Sequence, residues 1–398
     1  MSLKAITRGT LASVVSLATA LGLTACTRDY TVAYVYATNA KNSPGTISEY
    51  GVDYQSGTLI PLTGSPVTVG KNPTFLLAAP SGLFVYVLNR DDSTVQEFAV
   101  QGDGTLSSKN TYKTGTFPTS AAIDNTGKFL YVTFTYQAGF SATTPGPGGV
   151  TIFPINADNS LGTALTQNVG VNPVAVVTSG FNHFVYVVDQ EASPNATVLG
   201  FAQNTTTGAL TPVAGTTITA GTPTVAKGYA AGVVPSAIAE DPTARFVYVT
   251  DRAANQLIGY VVQASGALVP MVNGPFATGL FPVSATIEPR GKFLYVANFN
   301  SFSVSAYAID QATGTPAGSV GSGSTTVGTG PTCVTVEPAL GLYLYTSNSL
   351  DGTVTGEKLE PHTGSLAGIQ NNPFPASGTP TCVTAVPNGS HASQIVQP

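Results

Sequence analysis

A handful of charged side chains follow directly on short apolar runs. Arg90 comes right after Asn89, Asp189 is followed two residues later by Glu191, and Arg252 follows Asp251. A carboxylate that takes a proton from water, beside a guanidinium that holds the developing anion, is a hydrolytic arrangement. In these terms Asp189 or Glu191 is the candidate base and Arg90 or Arg252 the anion clamp, with Asp251 completing the set; the same groups can hold a polyol or acid without reacting. Asn and Asp also cap strand ends and turns, so a purely structural reading of each residue stands beside the chemical one. The chain has three histidines, His183, His362 and His391, which fall in two turns and the C-terminal tail. No Cys or His spacing matches a zinc site, and no glycine-rich loop joins a strand to a helix, so neither a metal nor a cofactor is expected.

The elements that must position these residues repeat. The 398-residue chain carries 15 Lys+Arg against 20 Asp+Glu, 42% hydrophobic residues, 43 Gly, 28 Pro and no Trp. This much apolar content excludes disorder as the main state, and a net charge of −5 gives no footprint for nucleic acid. A short apolar run recurs around Tyr36, Tyr86, Tyr131, Tyr186, Tyr248, Tyr295 and Tyr345. Each run is apolar on successive residues, which requires a strand buried on both faces. Before it comes a strand opened by Pro (Pro73, Pro118, Pro173, Pro235, Pro282, Pro331, Pro380), and after it an alternating run and then a Gly-x-Leu step such as Gly57-Thr58-Leu59. In chain order these are strands A, B, C and D.

The first unit starts at its B strand, around Tyr34, and the last A strand, Pro380 to Val386, has no B strand after it. Joining the two predicts an all-β, seven-bladed β-propeller over residues 30–390, its ring closed by the C-terminal strand completing the N-terminal blade. The D-to-A and B-to-C loops then share one rim of the central channel, the expected binding mouth. Three long stretches, 136–149, 214–234 and the Gly/Ser/Thr-rich 315–330, are read as loops on that rim. Asp124, Glu240, Glu288 and Glu337 are read as turn residues on the opposite face. Cys333 and Cys382 share a register in neighbouring A strands, and the expectation is two buried thiols, with a disulfide as the alternative.

Residues 1–25, with Lys4, Arg8 and an apolar stretch from Leu11 to Leu23, read as a signal peptide too short to be a membrane span. The ending Leu23-Thr24-Ala25-Cys26 resembles a bacterial lipobox, which would make Cys26 the lipidated first residue, 26–29 a tether and 391–398 a tail. The expected location is the cell envelope, at the outer membrane, with membrane contact only through the lipid on Cys26 and the protein a monomer.

Tyr36-Ala37-Thr38-Asn39 and Tyr248-Val249-Thr250-Asp251 resemble the Tyr-Val-Thr-Asn repeat of bacterial surface propellers. The form Gly-Lys-Phe-Leu-Tyr-Val (127–132, 291–296) and the Gly-x-Leu step are similar to the seven-bladed lactonase family, which includes 6-phosphogluconolactonase. That resemblance implies lactone hydrolysis by a His after the Pro of some A strands, with Arg and Glu nearby. Here the residues after the prolines are Thr74, Thr119, Val174, Ser236, Val283, Thr332 and Thr381, so the His-based site is missing. Two readings follow. The favoured one is a noncatalytic envelope lipoprotein that presents its loop rim to a protein or glycan. The alternative is a lactone hydrolase whose site is built from Arg90, Asp189, Glu191, Asp251 and Arg252.

Overall fold

The computed structural model describes residues 31–389 apart from 41–42, 145, 181, 192–195 and 220–224. The leader, Cys26 and the tail from 390 lie outside the described residues. Among those described there is no helix; seven antiparallel sheets, each with a path of four strands, form the blades, and Thr217–Thr219 pairs with Val225–Lys227 in a separate two-stranded sheet. The blades are numbered here by their B strands: Thr31–Asn39, Phe84–Asn89, Phe129–Tyr136, Phe184–Asp189, Phe246–Asp251, Phe293–Asn298 and Tyr343–Asn348. The A strands that face the channel are, for blades 2 to 7, Pro73–Ala78, Thr116–Ile123, Pro173–Ser179, Pro235–Glu240, Pro282–Ile287 and Pro331–Val336. Blade 1 takes its A strand from the other end of the chain. Pro380–Pro387 pairs antiparallel with Thr31–Asn39, Tyr36 opposite Thr384 and Val35 opposite Ala385.

The B strands carry the core because each is covered by a neighbouring blade on both faces. Val85, Tyr86, Val87 and Leu88 are all fully buried, as are Val185 to Val188. The recurrent tyrosine is placed for more than packing. Its hydroxyl crosses to the next blade and donates to a carbonyl in that blade's C-to-D turn: Tyr36 to Gly104 (2.6 Å), Tyr131 to Gly208 (2.9 Å), Tyr186 to Gly266 (3.0 Å), Tyr248 to Gly314 (2.5 Å) and Tyr295 to Gly364 (2.8 Å). Tyr86 reaches Asn159 (2.7 Å), and Tyr345 of blade 7 closes the circle on Gly57 of blade 1 (2.7 Å). The accepting residues have left-handed backbones, φ 72° at Gly57 and 66° at Asn159. Gly is favoured there for space as well as for φ, since a Cβ at Gly364 would lie 2.2 Å from the Phe293 ring.

Two expectations are corrected. The stretch 315–330 is not a loop: Pro316–Thr326 is the D strand of blade 6, paired with Ser303–Ile309. D is the outermost strand, wetted along its edge, so its sequence need not show the apolar pattern that marks a buried strand. Cys333 and Cys382 are not separate thiols but a disulfide, with a Cα–Cα distance of 4.8 Å. A strands converge at the axis, so residues of equal register in neighbouring blades meet at the channel wall. The bond joins blade 7 to the C-terminal strand that completes blade 1.

Candidate functional site

The seven A strands enclose a channel cavity of about 560 Å³. At its mouth the residue after each A-strand proline points inward, and four of these hydroxyls are already engaged. Thr119 donates to the Pro173 carbonyl of the next blade (3.0 Å), Ser236 to Pro282 (2.7 Å), Thr332 to Pro380 (3.3 Å) and Thr381 to Pro73 (2.7 Å). Each also meets a B-strand hydroxyl of its own blade: Thr133, Thr250, Ser347 and Thr38, at 2.8–2.9 Å. This explains the Thr of the Tyr-Val-Thr-Asn repeat, which relays a hydrogen bond into the seam between blades. Blades 2, 4 and 6 place Leu88, Val188 and Ala297 at that B-strand position, and no such relay forms. There Thr74 Oγ1 is buried with no partner, while in blade 4 the Gln190 amide donates to the Pro235 carbonyl instead (2.6 Å).

Deeper in the channel one acid faces the cavity. It is Asp241, not Glu240, that caps the turn, accepting the Arg245 and Phe246 amides at 2.7 and 2.6 Å. Asp124, Glu288 and Glu337 hold the equivalent turns. Glu240 is one residue earlier and lines the cavity; its Oε2 accepts the Gly180 amide (3.3 Å), and its buried Oε1 has no partner. Burial pushes its carboxyl up to about 8, with the Asp241 charge adding to the rise.

None of Arg90, Asp189, Glu191, Asp251 and Arg252 lines that cavity. The structure brings Asp189 and Glu191 together and distributes the rest around the rim. Asp189 is fully buried at the end of its B strand, accepting the amides of Val171 (3.1 Å) and Asn172 (2.6 Å) from the D-to-A loop. Burial raises it to about 7, the Val171 and Asn172 amides oppose that, and the Glu191 carboxyl adds to it. Glu191 is itself raised by burial. Asp251 is equally buried, but the amides of Val233 (2.8 Å) and Val234 (3.0 Å) and the Gln256 side chain (3.1 Å) outweigh burial and hold it below the usual range. Asn39 and Asn298 end their strands in the same way, each reaching a hydroxyl of its own C strand: Ser48 at 3.1 Å and Ser305 at 2.9 Å. The strand-end acids therefore fasten loops, as the structural reading holds, and Asp189 in addition is a carboxyl raised to about 7.

The arginines sit apart from that pair. Arg90, on blade 2, contacts Asp91 (3.1 Å) and lies over the Phe117 ring (4.3 Å to its centre). Arg252, on blade 5, lies over Phe281 (5.3 Å). Sequence reasoning found both arginines and missed both rings, although each Phe stands directly before an A-strand proline. His183 is in the A-to-B turn of the opposite face, with φ 56°, and His362 pairs with Glu360 in a C-to-D turn. Among the described residues no group of three or more His, Cys, Asp or Glu is arranged to hold a metal.

Comparison with known proteins places this geometry. No curated protein matches the chain. A Bacteroides uniformis protein assigned as a 6-phosphogluconolactonase is 20% identical with a TM-score of 0.71, over 90% of this chain and 100% of that one. A counterpart from Bacteroides fragilis is 22% identical with a TM-score of 0.72, covering 91% and 99%. A periplasmic gluconolactonase of Pseudomonas aeruginosa is 18% identical with a TM-score of 0.70, covering 89% and 99%. At such identities the likeness is one of fold. The family model described as "Lactonase, 7-bladed beta-propeller" matches residues 33–174 and 182–336, and the chain belongs to that family.

Proposed function

We propose that this protein is an envelope lipoprotein, anchored through Cys26, whose propeller serves as a noncatalytic binding module and presents its mouth-side rim to a glycan or protein. The observation that carries the reading is the channel mouth. None of the residues after the seven A-strand prolines can act as a base or anion clamp, and four of their hydroxyls are engaged in holding blades together. The Cys333–Cys382 disulfide supports an oxidising, extracytoplasmic compartment. The test is sedimentation of the soluble chain from Thr27 with purified envelope glycan and with outer-membrane protein. Saturable co-sedimentation with either supports the reading, and retention by neither counts against it.

One observation favours a second reading, lactone hydrolysis. Burial raises the Asp189 carboxyl to about 7, near where a general base is most effective, and raises Glu191 beside it. In that scheme Asp189 or Glu191 takes a proton from the water that attacks the lactone carbonyl and returns it to the ring oxygen as the C–O bond breaks.

A further inference from the structure

Phe117 and Phe281 have left-handed backbones, with φ 58° and 59°, although both are bulky and both precede proline. For a side chain of this kind that conformation is strained, and such outliers concentrate where a ligand is held. Blades 2 and 7 turn the same corner with Asn72 (φ 49°) and Gly330 (φ 65°), residues that tolerate it. The two blades that use Phe instead are the two whose preceding blade has Arg directly after its B strand, and in both the guanidinium covers the ring. The Phe backbones are also held from that preceding blade: the Phe281 amide donates to Asn255 (2.7 Å) and the Phe117 amide to Ser93 (3.4 Å).

At blade 5 the platform extends. Phe281 packs on Phe299 with ring centres 6.1 Å apart, and Phe299 and Leu350 both close over Gly330, where a Cβ would lie 3.1 and 2.6 Å from them. Leu350 is 63% exposed. Among the described residues the Arg252 guanidinium makes no ion pair or hydrogen bond, so its donors are open for bidentate contact. We infer that Arg252, Phe281, Phe299 and Leu350 form a subsite for a sugar acid, its C–H face on the apolar strip and its carboxylate on Arg252, with Arg90 and Phe117 a second, weaker copy across the mouth. Arg90 is the weaker because Asp91 already contacts it. The inference rests on the rim-binding reading and names its ligand chemistry.

The experiment is calorimetric titration of the soluble chain from Thr27 with oligogalacturonate, its methyl ester and free gluconate. Carboxylate-dependent binding that weakens with salt and falls at least tenfold in Arg252→Ala is expected. Gluconate binding as tightly as the oligomer would place the source in small sugar acids, and binding of the oligomer alone would place it in a polymer. Phe281→Gly separates ligand platform from packing. Glycine adopts φ 59° freely, so this variant should keep or raise its thermal midpoint while losing affinity. A lowered midpoint with unchanged affinity overturns the proposal. So does equal binding of the esterified oligomer, which would leave rim binding standing without the carboxylate subsite.

Discussion

The hydroxyl of Tyr345, in the last B strand, donates to the carbonyl of Gly57, in the first blade, at 2.7 Å. Residues 288 positions apart in the chain are thus joined across the seam by the same bond that links every other pair of neighbouring blades. Tyr345→Phe would leave that carbonyl buried without its donor. The expected loss is about 1–2 kcal/mol, read as a lower urea midpoint with unchanged slope. Tyr86→Phe, which removes the bond to Asn159, should cost a similar amount.

The turn glycines divide by what surrounds them. At Gly364 (φ 73°) a Cβ meets the Phe293 ring, whereas at Gly127 (φ 68°) nothing lies within 4 Å. Gly364→Ala should therefore lose 3 kcal/mol or more, by both backbone strain and overpacking, and Gly127→Ala only about 1 kcal/mol, by strain alone. Equal losses in thermal melts of the two variants would contradict this account.

The disulfide encloses a segment with a sequence separation of 49 and pins the strand that completes blade 1. Its removal in a Cys333→Ser, Cys382→Ser double variant should lower stability by about 2–4 kcal/mol. Dithiothreitol should lower the thermal midpoint of the parent and leave that of the variant unmoved.

Three buried acids set the pH dependence. Burial raises Glu240 to about 8 and Asp189 and Glu357 each to about 7. Each folded value lies above the unfolded one, so the folded state binds the extra proton. Stability is then greatest near pH 4–5 and falls as pH climbs through 7 and 8. Below that range the turn acids Asp53, Asp103, Asp158 and Asp310, all lowered by hydrogen bonds, lose their contribution as they protonate. Glu240→Gln should raise the midpoint at pH 8 and leave it unchanged at pH 4.5. A parent more stable at pH 8 than at pH 5 would contradict the assignment.

The fold was legible because its determinants are local and repeated. The Tyr register and the A-strand prolines each recur in all seven blades and the Gly-x-Leu step in five, and the unpaired first B and last A strands told how the ring closes. Position within a strand was legible; facing was not. Glu240 and Asp241 are adjacent in sequence, and only the pleat decides that one enters the channel while the other caps the turn. The Cys333–Cys382 bond likewise depends on how A strands converge at the axis. Pairing Arg252 with Phe281 required knowing that the end of one B strand overlies the start of the next blade's A strand, a contact between residues 29 positions apart.

The most direct test of a noncatalytic propeller is proton release from a panel of sugar and aromatic lactones. It uses the soluble chain from Thr27 at pH 7, with spontaneous hydrolysis subtracted and folding confirmed by a cooperative melt. A flat trace across the panel is predicted. Saturable turnover that disappears in Asp189→Asn and Arg252→Ala would contradict it and make the protein a lactonase with a rebuilt site.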